Sequence, residues 1–429
     1  MKTLKKIATI IAVVTVLLSC TNKPKTKEES MHLDRNKTAK DILGNPEYLA
    51  ISYGGYRKNT RDIQPTVLEL KEDLKILNAM GIKILRTYNV QLKHASNVLK
   101  AISELKKENE QFEMYVMLGA WIDCLNAWTE LEPDHNVESP LNAAEIDRAV
   151  ALAKQYPDIV KIIAVGNEAM VRWATSYYVQ PEVILKWVNH LQNLKKAGKL
   201  PKDLWITSSD DFASWGGGDP SYRTPDLEKI IEAVDYISMH TYPMHNTHYN
   251  PEFWGVLGEE SHLSKEEQIE AAMKRSKEFA VKQYDSVCNY LKDLGVNKPV
   301  HIGETGWATL SNGHYGTNGS KATDEYKEAL YYNHMRAWTK ENKISCFYFE
   351  AFDEPWKDAH NKKGSENHFG LFTVEGEAKY ALWDLVDAGL FKGLNRGGHP
   401  ITKTYNGNKD ELMNTVDIPH LKEDIVLNY

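Results

Sequence analysis

The sequence predicts a single (β/α)₈ TIM barrel, and three observations carry that expectation. Eight apolar runs of strand length alternate with helical-period segments from residue 48 to about 390. No break in composition divides that stretch into separate domains. The glycine fingerprint of the competing doubly wound sheet is missing after the first strand, where Gly54-Gly55-Tyr56-Arg57 is not G-x-G-x-x-G.

The expected strands are residues 49–53, 82–88, 114–120, 161–166, 204–208, 236–240, 300–303 and 346–351. Between them run helical patterns. Val67-Leu70-Leu74-Leu77 recurs at i, i+3 and i+4, as does Ile184-Leu185-Val188-Leu191-Leu194, which stops before Gly198. One connection is too long for a simple turn. Residues 243–264 separate the sixth strand from its helix and hold His245, His248, Tyr249, Phe253 and Trp254. In a barrel such a loop stands at the C-terminal face, where active sites are built. The barrel is assigned to residues 47–392, and a Gly- and Asn-rich tail, 393–429, is expected to wrap it or to be partly disordered.

The chain starts with Lys2, Lys5 and Lys6, then an apolar run from Ile7 to Leu18. That run is about half of the ~20 residues a spanning helix needs, so residues 1–19 read as a signal peptide. Leu17-Leu18-Ser19-Cys20 resembles a bacterial lipobox, which implies lipidation of Cys20 and attachment to the cell envelope through the lipid alone. Residues 20–46, polar, without aromatics and rich in Lys, Glu, Asn and Thr, read as a flexible tether.

Composition excludes several classes. Apolar residues at 42% and charged residues at 26% are ordinary globular usage, so the chain is neither disordered nor a coiled coil. The 52 bases against 59 acids give −7, or −10 once the three lysines of residues 1–19 are removed. With no basic block beyond the start, a nucleic-acid partner is not expected. The three cysteines besides Cys20 (Cys124, Cys288, Cys346) cannot all pair; buried thiols are expected, one disulfide staying open. The 11 Trp and 22 Tyr outnumber 10 Phe, and amphipathic rings suit a polar, ring-shaped ligand.

The strand ends carry the chemistry. They read Arg86-Thr87-Tyr88, Trp121, Asn167-Glu168, Asp210-Asp211, His240-Thr241-Tyr242, Glu304-Thr305-Gly306-Trp307 and Asp353-Glu354-Pro355-Trp356-Lys357. Two carboxylates after two different strands suit glycoside hydrolysis, in which one acid protonates the leaving oxygen and one carboxylate attacks or activates water. Glu168 and Glu304 are the leading pair. Trp121, Trp254, Trp307 and Trp356 are candidate sugar platforms, while Asn and Arg can hydrogen-bond hydroxyls. No G-x-S-x-G and no P-loop occurs. His240, His245 and His248 fit no common metal spacing, so neither metal nor cofactor is expected.

In order and context these motifs resemble glycoside hydrolase family 17, the β-1,3-glucanases and related β-1,3-glucanosyltransferases. Val165-Gly166-Asn167-Glu168 is similar to its acid/base segment, and Gly303-Glu304-Thr305-Gly306-Trp307 to its nucleophile segment. Phe349 to Lys357 resembles its eighth-strand segment, Leu85-Arg86-Thr87-Tyr88 its second-strand motif, Thr241-Tyr242-Pro243 its sixth, and Ser52-Tyr53-Gly54 the end of its first. Asp353 stands where the family usually has Asn, and plant-type members lack the long 243–264 insertion. The resemblance implies a retaining mechanism, with Glu168 as acid/base and Glu304 as covalent nucleophile. It implies a polysaccharide substrate of the laminarin type and Asn167 on the sugar 2-hydroxyl. Tyr53, Arg86, Tyr88, Tyr242, Glu354 and Lys357 join the binding site, Tyr242 and Lys357 close to Glu304. A monomer is expected. Hydrolysis and glucanosyl transfer share these residues and stay open, as does endo or exo action. A non-catalytic binder would be expected to lack one of the two acids, and both are present.

Overall fold

The computed structural model describes residues 37–425. The signal segment, Cys20 and most of the tether lie outside the described residues. Eight parallel strands close into one barrel: β1 (Leu49–Ser52), β2 (Ile82–Arg86), β3 (Tyr115–Ala120), β4 (Val160–Asn167), β5 (Trp205–Asp211), β6 (Ile237–His240), β7 (Val300–Gly306) and β8 (Cys346–Phe349). Each strand pairs with its sequence neighbours, and β1 closes the ring on β8. All eight expected strands are present. β4, β5 and β7 run further than their apolar runs, because polar residues at their C-terminal ends stay in the ladder.

Helices follow the strands: α1 (Val67–Ala79), α2 (Lys93–Glu108), α3 (Asn142–Gln155), α4 (Pro181–Lys196), α5 (Pro225–Ala233), α6 (Lys265–Asp293), α7 (Glu325–Glu341) and the short α8 (Trp383–Asp387). Local chemistry starts them. Thr66 and Ser264 form capping boxes with Glu69 and Glu267, and Thr224 caps α5 ahead of Pro225.

The barrel interior is divided along its axis. At the N-terminal end Ala50, Ile84, Met117, Ile162, Ala164 and Phe347 form an apolar plug. Ala39, Ile42 and Leu43 pack beneath it, from a single helical turn at Ala39–Ile42. The tether therefore gives way to packed chain by Lys37, earlier than residue 47. Toward the C-terminal end the interior turns polar, with Arg86, Ser209, Ser238 and His240 all buried. Polar groups placed there need partners, and those partners build the site.

The long connection is folded. It contains a helix at Pro243–Tyr249 and 3₁₀ turns at Pro251–Phe253 and Gly258–Glu260. Trp254 is buried within it, and its indole N–H donates to Ser320 O at 2.7 Å. That removes Trp254 as a sugar platform. The tail wraps the barrel rather than hanging free. Arg396 pairs with the buried Asp73 of α1 at 3.0 Å, and residues around Leu421 bridge to Val256 in the long connection. All three described cysteines are free thiols.

Candidate active site

Glu304 is held by donors on every side. The β6–β7 register slips by one residue, so His240 lies opposite Glu304 rather than Gly303. Such bulges re-aim side chains beside active sites. Gly303 allows this: a Cβ there would stand 2.1 Å from Ser238 Oγ and 2.6 Å from Ser209 Oγ. The Tyr242 hydroxyl donates to Glu304 Oε1 at 2.6 Å and the Tyr88 hydroxyl to Oε2 at 2.8 Å. Arg86 donates to Oε2 as well, and to Gly303 O at 2.7 Å. Burial alone would raise the Glu304 pKa. The Arg86 charge and the two phenols outweigh burial and hold the carboxyl below its usual value.

Glu168 follows the end of β4. Gly166 has φ 81°, and the β4–β5 register shifts between Ala164 and Asn167. Glu168 itself has φ 46°, a left-handed conformation that a long side chain keeps only when its surroundings fix it. Its N–H donates to Ser209 O at 2.9 Å. Two residues on, the Met170 N–H donates to Asp210 Oδ2 at 2.7 Å. Burial pushes that Asp210 carboxyl up to about 6.

The surroundings of Glu168 are the opposite of those of Glu304. Its Oε1 lies 2.9 Å from His240 Nδ1, and His240 Nε2 lies 2.8 Å from Ser209 Oγ. Burial pushes the His240 pKa down to about 3, so the ring is neutral at neutral pH. When Ser209 donates to Nε2, the ring proton sits on Nδ1 and is given to Oε1. That leaves Oε2 of Glu168 for a ligand. Burial first, and the charge of Glu304 second, raise the Glu168 pKa to about 8. One oxygen of each Glu and one His240 nitrogen lie within 4.8 Å of one another. Two nearby carboxyls with pKa values driven apart are a proton donor and a nucleophile or base in waiting. The same trio has the spacing of a metal site. Its anionic member already has a cation, Arg86, and two phenol donors, so the donor set suits acid–base work better than a metal.

A model of the BtgE/BtgC glycoside hydrolase domain matches residues 50–370. The chain belongs to the BtgE/BtgC glycoside hydrolase domain family. An endo-laminarinase from Formosa Hel1_33_131, known from its crystal structure, is 70% identical, superposes with a TM-score of 0.90 and covers 92% of this chain and 100% of its own. A glucan 1,3-beta-glucosidase of Arthroderma benhamiae is 27% identical over 60% of this chain and 70% of its own length. The probable glucan endo-1,3-beta-glucosidase btgC of Aspergillus flavus is 23% identical over 84% of this chain, which spans only 48% of that longer protein.

In this glycoside hydrolase the other residues singled out from sequence divide into four groups. Asn167 and Tyr88 stand beside the carboxyl pair, partly exposed. Arg86 donates to Asn167 Oδ1, which leaves the Asn167 amide N–H₂ to donate elsewhere. Trp121 and Trp356 are half-buried at the mouth. The Trp356 indole donates to Glu354 Oε2 at 3.1 Å, and Arg61 lies 4.4 Å over its ring.

Three assignments are corrected by burial. Trp307 is fully buried, and its indole donates to Ala322 O at 2.8 Å, so it offers no face to a sugar. Tyr53 is fully buried with its hydroxyl on Asp73 at 3.0 Å. Arg86 is 1% exposed and spent on Glu304, Gly303 and Asn167, so it positions the site instead of touching substrate.

Two further assignments are corrected by contact. Lys357 pairs directly with Glu350 at 3.5 Å and Glu354 at 3.6 Å, and Glu304 acts on it only as a more distant charge. Glu354 is buried and accepts the Tyr56 N–H at 3.1 Å. The three histidines also part company. His245 stacks on Tyr242, and His248 stacks on His314 with centroids 4.1 Å apart. Sequence reasoning missed the contact of His240 with Glu168. The only signal was its place at the end of the sixth strand.

Proposed function

We propose that the protein hydrolyses β-1,3-glucan of the laminarin type, as a retaining endo-acting member of glycoside hydrolase family 17. The observation that carries this is the proximity of Glu168 and Glu304, one carboxyl oxygen of each lying within 4.8 Å of the other, with pKa values moved in opposite directions. Retaining enzymes hold their carboxyls about 5–5.5 Å apart and inverting ones about 6.5–9.5 Å. Endo action is supported by the 70% identity to an endo-laminarinase.

Glu304 attacks the anomeric carbon. The C1–O bond breaks, and Glu168 gives its Oε2 proton to the departing oxygen. A glycosyl ester on Glu304 and a new chain end result. Water then enters; Glu168 takes its proton as the oxygen attacks C1, and the Glu304 carboxylate leaves. Both residues return to their starting states. Asn167 donates to the 2-hydroxyl, and Tyr88 and Tyr242 keep Glu304 aimed.

The test is hydrolysis of β-1,3-, β-1,4- and mixed-linkage glucans, with product sizing and the product anomer followed by NMR. β-1,3 cleavage giving the β anomer first and a ladder of oligosaccharides is expected. An α anomer first refutes retention, and preference for β-1,4 glucan refutes the substrate. Products formed at high oligosaccharide concentration separate hydrolysis from transfer.

The chain is further proposed to be a monomer anchored in the cell envelope through lipid on Cys20. Incorporation of a labelled fatty acid that is lost in Cys20→Ala tests the anchor, and the mass of the soluble domain in solution tests the monomer.

A further inference from the structure

We propose that Trp128, backed by Tyr177 and Trp121, is a stacking platform for glucose units on the leaving-group side of the cleaved bond. This rests on the reading above of Glu168 as the acid that protonates the departing oxygen.

Trp128 lies in a connection that the strand pattern leaves blank. Residues after β3 form a small antiparallel hairpin, Cys124–Leu125 with Asp134–Glu138, and Trp128 sits in its turn. Trp128 is 62% exposed, the behaviour of a binding surface rather than a core residue. One of its faces rests on Tyr177, with centroids 5.0 Å apart and planes at 22°. Trp121 closes the group at 5.2 Å from Tyr177 and 6.4 Å from Trp128. Asn126 and Trp128 both have positive φ, 64° and 62°. A bulky side chain seldom adopts that conformation, and such residues gather at ligand contacts.

The platform is tied to the acid. The segment after Glu168 loops out and returns, with the Val179 N–H on Ala169 O at 2.7 Å. Tyr177 is two residues from that closure. Its own carbonyl accepts the Cys124 N–H at 3.1 Å, which fastens the hairpin to this loop. A second fastening follows: the Gln180 N–H donates to His135 O at 3.2 Å, and the His135 ring stacks on Tyr178 at 3.6 Å. After burial, the charge of Glu168 acts most strongly on the Tyr177 hydroxyl. The exposed indole thus belongs to a rigid unit on the Glu168 side of the site. Groups that bind beyond Glu168 hold the part of the chain that departs. The occupant is a β-glucan chain, whose pyranose rings present flat C–H faces that suit an indole plane.

The experiment compares Trp128→Ala and Trp128→Phe with the parent on a laminari-trisaccharide and a laminari-heptasaccharide labelled at the reducing end. For Trp128→Ala, KM for the heptasaccharide should rise about tenfold, equal to ~1.4 kcal/mol. KM for the trisaccharide should change less than twofold, and kcat little for either. Losing grip on the leaving-group side should also move cleavage toward the labelled end, giving shorter labelled products. Trp128→Phe should restore most of both effects. An unchanged heptasaccharide KM and product ladder, or an equal loss on both substrates, overturns the platform while the glucanase reading stands. A parent that cleaves neither oligosaccharide overturns the glucanase reading and the platform with it.

Discussion

Tyr242→Phe tests whether the phenol at Glu304 sets the ionisation of the proposed nucleophile. The change removes one oxygen. The ring should stay, because His245 stacks on it at 5.1 Å and Phe349 and Phe369 meet it edge-on at 6.3 and 6.1 Å. What is lost is the 2.6 Å hydrogen bond to Glu304 Oε1. A hydrogen bond to a charged group is worth about 1.5–3 kcal/mol. At ~1.36 kcal/mol per pKa unit, losing it raises the Glu304 pKa by about 1–2 units. The sign is fixed: the hydroxyl favours the ionised form, so its removal favours the protonated form. Glu304 must be ionised to attack, so kcat/KM falls as pH falls through its pKa. The acid limb of the kcat/KM–pH profile should therefore move up by ~1–2 units in the variant, with the alkaline limb much less affected. The assay is initial rates on a laminari-oligosaccharide from acid to alkaline pH, with circular dichroism confirming the fold. An acid limb that stays in place would refute the argument that Tyr242 tunes Glu304.

Other expectations are briefer. In the parent, activity should fall as pH rises through about 8, because Glu168, as the proposed acid, has to keep its proton; Glu168→Gln should lose most activity on glucan and show no such limb, and a persisting limb would point to another group. Asp73→Asn removes the carboxylate shared by Arg396 and Arg57, leaving two cations short of their partner. A loss of about 3–5 kcal/mol in urea unfolding is expected, with kcat of the folded enzyme unchanged. Trp307→Ala should cost about 3–5 kcal/mol of stability as a core deletion. A selective rise in KM with stability intact would instead restore Trp307 as a sugar contact.

How much of this was legible in the sequence follows from which signals are local. Strand identity is local: a buried parallel strand needs a near-continuous apolar run, and Tyr115 to Ala120 or Ile162 to Val165 supply one. The carboxyl pair was legible because Asn167-Glu168 and Glu304 sit directly after such runs. The direction a ring faces was not. Trp307 and Trp356 each follow an acidic strand-end motif closely, yet one donates into the core and the other sits at the mouth. That choice depends on Ala322, 15 residues beyond Trp307, and on Arg61 over the Trp356 ring, neither of which lies in the local motif. Arg86 was read as a hydroxyl binder for the same reason, since its partner Glu304 is 218 residues away. Trp128 was invisible because a five-residue strand with the polar sequence Asp134–Glu138 carries no apolar alternation.

The two glutamates show how one fold gives identical side chains different charges. Both lie at strand ends in a water-poor mouth, and burial pushes both upward. Arg86 breaks the symmetry. One guanidinium binds Glu304 and Asn167 together, so the cation that keeps Glu304 ionised also fixes the neighbour of Glu168. Once Glu304 is charged, its field discourages a second charge, and Glu168 retains its proton. His240 completes the division. As a neutral ring it can satisfy one oxygen of Glu168 without supplying the positive charge that would ionise it. A lysine in place of His240 would pull the Glu168 pKa down and leave two carboxylates and no acid. The buried polar layer of the barrel thus works as one unit: Arg86, His240 and the serines Ser209 and Ser238 set which carboxyl is ionised and which keeps its proton.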